Sequence, residues 1–321
     1  MRILSHHLCY AQTVGSKLSE MEFLDINNFT EKDLELFPSY DEYCDDLKML
    51  SEMDLSNKNS EEIYNIIYDY LKILPACFGV FSPTKFNKIP FYRCRIKNNI
   101  GKIENKDLIQ THSFPPSNVC KENGRANLKN HSVFYCSNDP RAAILESKPK
   151  TGDEVYLSEW KAKATRNIKF NLCLPTKLPE NNIWNMVAND KNSYIKTKIK
   201  GFTNDKFRHY AKLLNFISES FISERKPYSL TSMISHIFLF NELINDFIVY
   251  PSVVSNSNYC NLAFHPNSVL ENLKFDKVYK LKINALTDDQ IEFNFGVVGT
   301  LKNSRMIWRR IKQEEREKLL K

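Results

Sequence analysis

The apolar residues of the first 75 positions recur at helical spacing. Asn59 belongs to a residue type that caps helices, and Glu62 lies at the third position of the helix that would follow. The apolar residues of that helix then share one face: Ile63, Ile66, Ile67, Leu71 and Leu74. Pro75 is expected to end the helix, because proline has no backbone N–H to donate.

An earlier helix is predicted in the same segment. It begins after Thr30, is interrupted near Pro38 and resumes through Tyr43, Leu47 and Leu50. Apolar stripes of this kind are typical of packing faces rather than of ligand sites. We therefore predict a helical N-terminal region over residues 1–80.

Beyond Pro90 the pattern changes to short apolar or alternating runs separated by proline, asparagine and glycine. Strands are predicted at 91–96, 132–136, 168–174 and 247–253, and near 277–284 and 290–299. Helices are predicted at 141–146, at roughly 204–223 and 230–245, and, with many charges, from Asn303 onward. This order indicates an α+β fold, with a mixed β core and short helices over 81–300 and a charged C-terminal helix over 301–321.

The net charge of +7 conceals an uneven distribution of charge along the chain. Residues 1–75 contain 6 Lys/Arg against 15 Asp/Glu, a net of −9, which leaves 39 against 23, a net of +16, for the remainder. A basic body of this kind suits a nucleic acid, an anionic cofactor or the chain's own acidic segment. The sign of the charge alone does not choose among them.

Several classes of protein are disfavoured by what the sequence lacks. It has no apolar run long enough for a signal peptide or a membrane span, so we expect a cytoplasmic protein without a membrane partner. Its eight cysteines occur singly, which argues against a structural metal site and against a disulfide scaffold. Phosphate-loop, dinucleotide-fold, zinc-protease and serine-hydrolase motifs are all absent, and the seven histidines are dispersed.

Arg93 and Arg95 are the first candidates for chemistry. They alternate within the predicted strand FYRCRI, so their side chains leave the same face. Two guanidinium groups on one face attract an anion such as a pyrophosphate or a carboxylate. A solvated edge strand is the alternative, and spacing alone favours it.

Four polar residues follow in two blocks. Arg125 and Asn127 belong to the string GRAN, Tyr135 ends an apolar strand, and Glu146 directly follows the apolar helix AAIL. A glutamate in that place either faces solvent or enters a pocket as its acid.

Ser252 and Asn261 complete the set of candidates. Ser252 ends the apolar string IVYPSV, and Asn261 follows nine residues later in YCNLAF. A serine after proline is commonly a turn residue. Each of these signals is modest alone, and their order along the chain carries more information.

That order resembles the RES family, which is named for its arginine, glutamate and serine. The strings YRCRI, FPP with GRAN, VFYCSNDPRAAILE, KPKTGDEVYLSEW and YPSV with NLAF are similar to successive family blocks over roughly residues 88–265. Cys94 stands where the family often has alanine or another small residue. The resemblance implies a fold related to the ADP-ribosyltransferases.

The resemblance also implies an activity: a toxin that consumes NAD by phosphorolysis or hydrolysis, in some cases paired with an antitoxin. NAD would be the substrate and inorganic phosphate a possible co-substrate, with no prosthetic cofactor. The implied catalytic residues are Arg93, Tyr135, Glu146 and Ser252, and the implied substrate-binding residues are Arg95, Arg125, Asn127 and Asn261.

Two alternatives stay open at this point. The same pocket can transfer ADP-ribose to a protein instead of to water or phosphate. A basic nucleic-acid-binding protein without catalysis would use the tail WRRIKQEEREKLLK as its contact, although the glutamates of that tail favour a solvated helix. Under the NAD interpretation no nucleic-acid partner is expected, and the sequence does not indicate an oligomeric state.

Overall fold

The computed structural model describes residues 22–23, 35–74, 78–100, 105–200, 207–241, 245–286, 291–303 and 305–320. Over these ranges the fold is α+β, as predicted, with two mostly antiparallel sheets and ten helices. The strands are β1 (Glu22–Phe23), β2 (Phe78–Phe81), β3 (Pro90–Ile96), β4 (Phe134–Cys136), β5 (Glu154–Ala162), β6 (Ile168–Leu172), β7 (Phe247–Pro251), β8 (Cys260–Phe264), β9 (Leu273–Leu286), β10 (Ile291–Lys302) and β11 (Arg305–Arg310). The helices are α1 (Tyr40–Glu52), α2 (Ser60–Leu71), α3 (Pro83–Phe86), α4 (Ile109–His112), α5 (Pro140–Glu146), α6 (Asn185–Lys200), α7 (Phe207–Ser223), α8 (Ser229–Phe240), α9 (Pro266–Asn272) and α10 (Gln313–Leu320).

The two sheets meet at their edges. The first sheet has the order β1-β2-β6-β7-β8-β4, in which only the β6–β7 pair is parallel. The second has the antiparallel order β11-β10-β9-β5-β3. Tyr92 of β3 and Ser137, which follows β4, exchange backbone N–H···O bonds of 2.8 and 2.9 Å. This bridge joins the sheets at the place where most of the candidate residues also lie.

The central strands of the first sheet are buried on both faces. On one face an aromatic cluster packs ring against ring, and Phe170 and Phe247 are stacked with centroids 4.7 Å apart. On the other face α7 and α8 cover the sheet, and α1 and α2 pack outside them. Burial of each of these aromatic side chains stabilises the fold by about 1.5–3 kcal/mol.

The N-terminal helices follow their predicted pattern. The side chain of Asn59 accepts from the backbone N–H groups of Glu61 and Glu62, and the Glu62 carboxylate accepts from the Asn59 N–H at 2.8 Å. Ile63 and Ile67 are buried, as expected for the packing face, while Ile66 is half-buried. The helix ends at Leu71, with Lys72 as its C-cap, so Leu74 lies beyond it and the end comes earlier than predicted. Pro75 itself and the helix start after Thr30 lie outside the described residues.

The expectation of a charged helix from Asn303 is wrong in its first half. Arg305–Arg310 form β11, which pairs antiparallel with β10, and only Gln313–Leu320 are helical. The unpaired edge of β10 supplies backbone hydrogen bonds that outweigh the local charge pattern. Arg309 donates two hydrogen bonds to the Glu315 carboxylate, which together with the Lys312 N–H lowers the pKa of Glu315 to about 2.

Further elements differ from the sequence prediction. Strands β1, β2, β5 and β8 and helices α3, α4, α6 and α9 were not predicted, β1 lies within the region predicted as helical, and α8 ends at Phe240 rather than near 245. No helix within the described ranges is both long and apolar enough to cross a membrane.

Candidate active site

Glu146 is held by its own helix and by two residues, Ser252 and Asn261, that lie more than 100 positions away in sequence. It ends α5, a helix that Asp139 caps by accepting from the Arg141 N–H at 2.8 Å. The Ser252 hydroxyl donates to Oε1 of Glu146 at 2.5 Å, and the Asn261 amide donates to the same oxygen at 2.7 Å. Within the described residues Oε2 of Glu146 has no hydrogen-bond partner. The carboxylate is therefore fixed through one oxygen and presents the other.

The register of β7 and β8 explains this convergence. Tyr250 lies opposite Asn261 in the antiparallel pair, so Ser252 leaves the end of β7 beside the start of β8. Ser252 is fully buried, and its hydroxyl oxygen also accepts from the Ser255 N–H at 3.3 Å. A turn after the strand thus closes around the serine and aims its O–H at Glu146.

Glu146 lines a cavity of about 580 Å³. This volume is within the range of small-molecule sites, about 300–1,000 Å³. Within the described residues Glu146 is the one carboxylate among those that line the cavity, and four cations share the lining: Arg93, Arg125, Lys148 and Arg225. The cavity is therefore suited to an anion that also carries hydroxyl groups for the carboxylate.

The guanidinium of Arg93 is a positive charge in a largely buried position. Its Nη1 donates to the carbonyl of Tyr135 at 2.9 Å, and its guanidinium lies 5.7 Å from the ring centroid of Phe134. Its Nε has no hydrogen-bond partner among the described residues. Burial, together with the nearby charge of Arg95, lowers the pKa of Arg93 to about 10, so the group remains a cation at neutral pH.

Arg125 belongs to a tight turn that also positions Tyr135. Gly124 and Asn127 exchange backbone hydrogen bonds, and the Tyr135 hydroxyl accepts from the Ala126 N–H at 2.9 Å and donates to Oδ1 of Asn127 at 2.7 Å. A side chain at Gly124 would meet Oδ1 of Asn127 at 2.3 Å and the Tyr135 hydroxyl at 2.6 Å. Burial raises the pKa of Tyr135, which keeps its phenol neutral.

The Arg125 guanidinium is fixed from two sides. Its Nη1 donates to the carbonyl of Phe221 near the end of α7 at 2.6 Å, and the group lies 4.6 Å from the ring centroid of Tyr228. Neither Arg93 nor Arg125 forms an ion pair with a carboxylate in the described part of the chain. Both charges are thus oriented and not neutralised.

The structure brings most of the predicted residues together. Arg93, Arg125, Tyr135, Glu146 and Asn261 line the cavity. Two more of the predicted residues, Ser252 and Asn127, are buried behind this lining. Ser252 donates a hydrogen bond to Glu146, and Asn127 accepts one from Tyr135.

Arg95 is the exception. It does not line the cavity, and its Nη1 donates to the carbonyl of Thr111 at 2.8 Å. Arg95 therefore holds the loop beside β3, and its contribution to the cavity is its charge beside Arg93.

Sequence reasoning missed other lining residues. Tyr250 and Cys94 lie inside strings that were singled out, yet neither was chosen. Burial raises the pKa of Cys94 to about 12, so its thiol is protonated at neutral pH. Lys148, Arg225 and Tyr228 come from connections whose course the sequence pattern does not predict. Only the tertiary structure places them in the cavity.

Comparison with known proteins gives no information about function beyond the geometry of the site. No protein-family model, no curated protein and no solved structure matches the chain. The described residues contain no cluster of three His, Cys, Asp or Glu side chains that would bind a metal ion. The fold and cavity define an α+β protein with a cation-rich cleft around a single oriented carboxylate.

Proposed function

We propose that this chain is an NAD-consuming enzyme of the RES type, with a fold related to the ADP-ribosyltransferases, that cleaves the bond between nicotinamide and ribose. One observation carries the proposal. Ser252 and Asn261 fix the Glu146 carboxylate through one oxygen, and Glu146 lines a cavity with Arg93 and Arg125, two cations that have no carboxylate partner in the described part of the chain.

The carboxylate supports the proposal through the charge of the transition state. Cleavage of a bond between nitrogen and a sugar carbon develops oxocarbenium character on the ribose, as glycoside cleavage does. Oε2 of Glu146 accepts from the ribose hydroxyl groups and stabilises the positive charge as it grows. Nicotinamide leaves as a neutral molecule, so the reaction requires no strong general acid. A lining without histidine suits such a reaction.

The arginines support it through the charge of the substrate. A pyrophosphate carries two negative charges, and planar guanidinium groups bind phosphate oxygens through paired hydrogen bonds. Arg93 and Arg125 are already held in place by carbonyl groups, so binding costs little side-chain entropy. Tyr135, whose phenol is neutral, lines the same cavity and offers its ring as a surface for nicotinamide.

The test follows the fate of each half of the substrate. Purified protein is incubated with NAD, with and without phosphate, while nicotinamide, ADP-ribose and ADP-ribose-1″-phosphate are measured. Free ADP-ribose identifies water as the acceptor, and the phosphorylated product identifies phosphate. Label retained on a protein would instead support ADP-ribosyl transfer, and salt-dependent binding to RNA or DNA without loss of NAD would support the nucleic-acid alternative.

Glu146→Gln is the decisive variant. The amide keeps the shape of the side chain and removes its charge, so we expect turnover to fall by about a hundredfold or more, the scale of an oriented electrostatic group. Glu154→Gln is the matched control, because Glu154 pairs with Lys280 on the second sheet and does not line the cavity. Equal NAD cleavage by the two variants would remove Glu146 from the mechanism.

A further inference from the structure

Arg225 is a charge in the cavity lining that the proposed reaction does not yet use. It follows α7, and its Nη1 donates to the carbonyls of Ile222 at 3.1 Å and Ser223 at 2.8 Å. The carbonyl end of a 17-residue helix is a favourable place for a cation. The Arg225 side chain is exposed, and its Nη1 anchors the guanidinium at the end of α7. Its remaining N–H groups are available to a ligand.

The neighbouring charges do not neutralise it. The Glu224 carboxylate accepts from the backbone N–H groups of Leu230 and Thr231 at 2.8 and 2.9 Å, at the start of α8. The Lys226 ammonium pairs with Glu122 at 3.1 Å. Arg225 forms no ion pair with a carboxylate of the described residues. Of the two cations in the run 224–226, Arg225 is thus the one without a carboxylate partner among the described residues, and it is the one that lines the cavity.

Arg225 and Glu146 reach the cavity lining from different elements. Glu146 ends α5 and is held by Ser252 after β7 and by Asn261 of β8. Arg225 belongs to the connection between α7 and α8, and Arg125 contacts the Phe221 carbonyl and the Tyr228 ring on either side of it. If the nicotinamide ribose binds at Glu146 and the pyrophosphate at Arg125, as proposed above, the adenosine half can extend toward this connection.

We infer that Arg225 binds a phosphate on the adenosine ribose, so that the cavity prefers NADP, a dinucleotide with a 2′-phosphate, over NAD. This inference rests on the proposed function for the placement of the ligand. Arg93 and Arg125 match the two charges of the pyrophosphate, and a phosphomonoester supplies the further negative charge that Arg225 lacks. Arginine beside the adenosine ribose is a general means of accommodating a 2′-phosphate.

A binding measurement tests the inference without requiring turnover. ADP-ribose and 2′-phospho-ADP-ribose are titrated into the full chain by calorimetry. A hydrogen-bonded ion pair with phosphate corresponds to about tenfold to a hundredfold in affinity, so the 2′-phosphorylated ligand is expected to bind at least about tenfold more tightly. Arg225→Gln abolishes that preference, while Lys226→Gln, which removes the adjacent paired cation, keeps it.

Turnover separates this inference from the proposed function. With NADP and NAD as substrates, we expect the ratio of their kcat/KM values to favour NADP and to fall about tenfold in Arg225→Gln, whereas Lys226→Gln keeps both the ratio and the rate of NAD cleavage. Equal binding of the two ligands, absence of binding by both, or a preference that survives in Arg225→Gln overturns the inference. NAD cleavage without any preference leaves the proposed function standing. The expected binding pattern without cleavage of either dinucleotide leaves the phosphate site standing and defeats the proposed function.

Discussion

Replacement of Ser252 by alanine isolates the hydrogen bond that orients Glu146. The hydroxyl is fully buried and donates to Oε1 of Glu146 at 2.5 Å, while Asn261 continues to donate to the same oxygen. The variant therefore leaves the carboxylate with its charge and one of its two supports. It changes the orientation of the carboxylate that we propose to be catalytic without removing it.

The magnitude follows from the kind of hydrogen bond that is lost. A hydrogen bond to a charged group contributes about 1.5–3 kcal/mol. If that energy maintains the orientation of the carboxylate in the transition state, kcat falls by about tenfold to a hundredfold. KM changes little, because the phosphate contacts of the arginines remain. The Ser255 N–H also loses an acceptor, so the melting temperature falls by a few degrees.

Ser268→Ala is the matched control. Ser268 is another buried serine whose hydroxyl donates to a carboxylate, that of Asp246 at 2.8 Å, and whose oxygen accepts from Asn272 at 3.2 Å. It does not line the cavity. Both variants are compared by thermal unfolding and by steady-state NAD cleavage. We expect similar destabilisation and a loss of kcat in Ser252→Ala alone; equal kcat values in the two variants would refute the reasoning.

Three further predictions address the turn, the arginine stack and the C-terminal segment. Gly124→Ala places a methyl group 2.6 Å from the Tyr135 hydroxyl, so the ring shifts and kcat/KM falls by about tenfold, with the melting temperature as the check on folding. Tyr228→Ala raises KM by about threefold to tenfold because Arg125 loses its cation–π partner, whereas Tyr228→Phe keeps KM near its original value. The lowered pKa of Glu315, about 2 in the fold against an ordinary 4.5, stabilises the protein above pH 4.5, and this contribution is lost as pH falls toward 2. Chemical denaturation should therefore show a difference in the free energy of unfolding between the original protein and Glu315→Gln that is full at pH 6 and falls to less than about half at pH 3; a difference that does not change with pH would contradict the assignment.

Local features of the chain were readable because their causes lie within a few residues. The Asn59 cap and the buried face of α2 follow from helical periodicity, and β3 and α5 appear where their apolar runs predict them. The hydrogen bonds of β11 lie on β10, so no local pattern could have shown that Arg305–Arg310 would extend the sheet.

For the candidate site, too, some features follow from the sequence and others only from the fold. The sequence by itself indicated the polar candidates, because Glu146 and Ser252 directly follow apolar runs and Arg93 interrupts one. Only the tertiary structure decided their partners. Glu146 is 106 residues from Ser252, and the pairing of β7 with β8 brings the serine to it.

The tertiary structure also decided which positively charged side chains line the cavity. Arg95 alternates with Arg93 on one strand, yet the Thr111 carbonyl holds it away from the cavity, while Arg225, without any sequence signal, is anchored at the end of α7 and lines it. Local periodicity specifies which way a side chain points from its own element. What that side chain meets depends on how distant elements pack, and packing is a property of the whole chain.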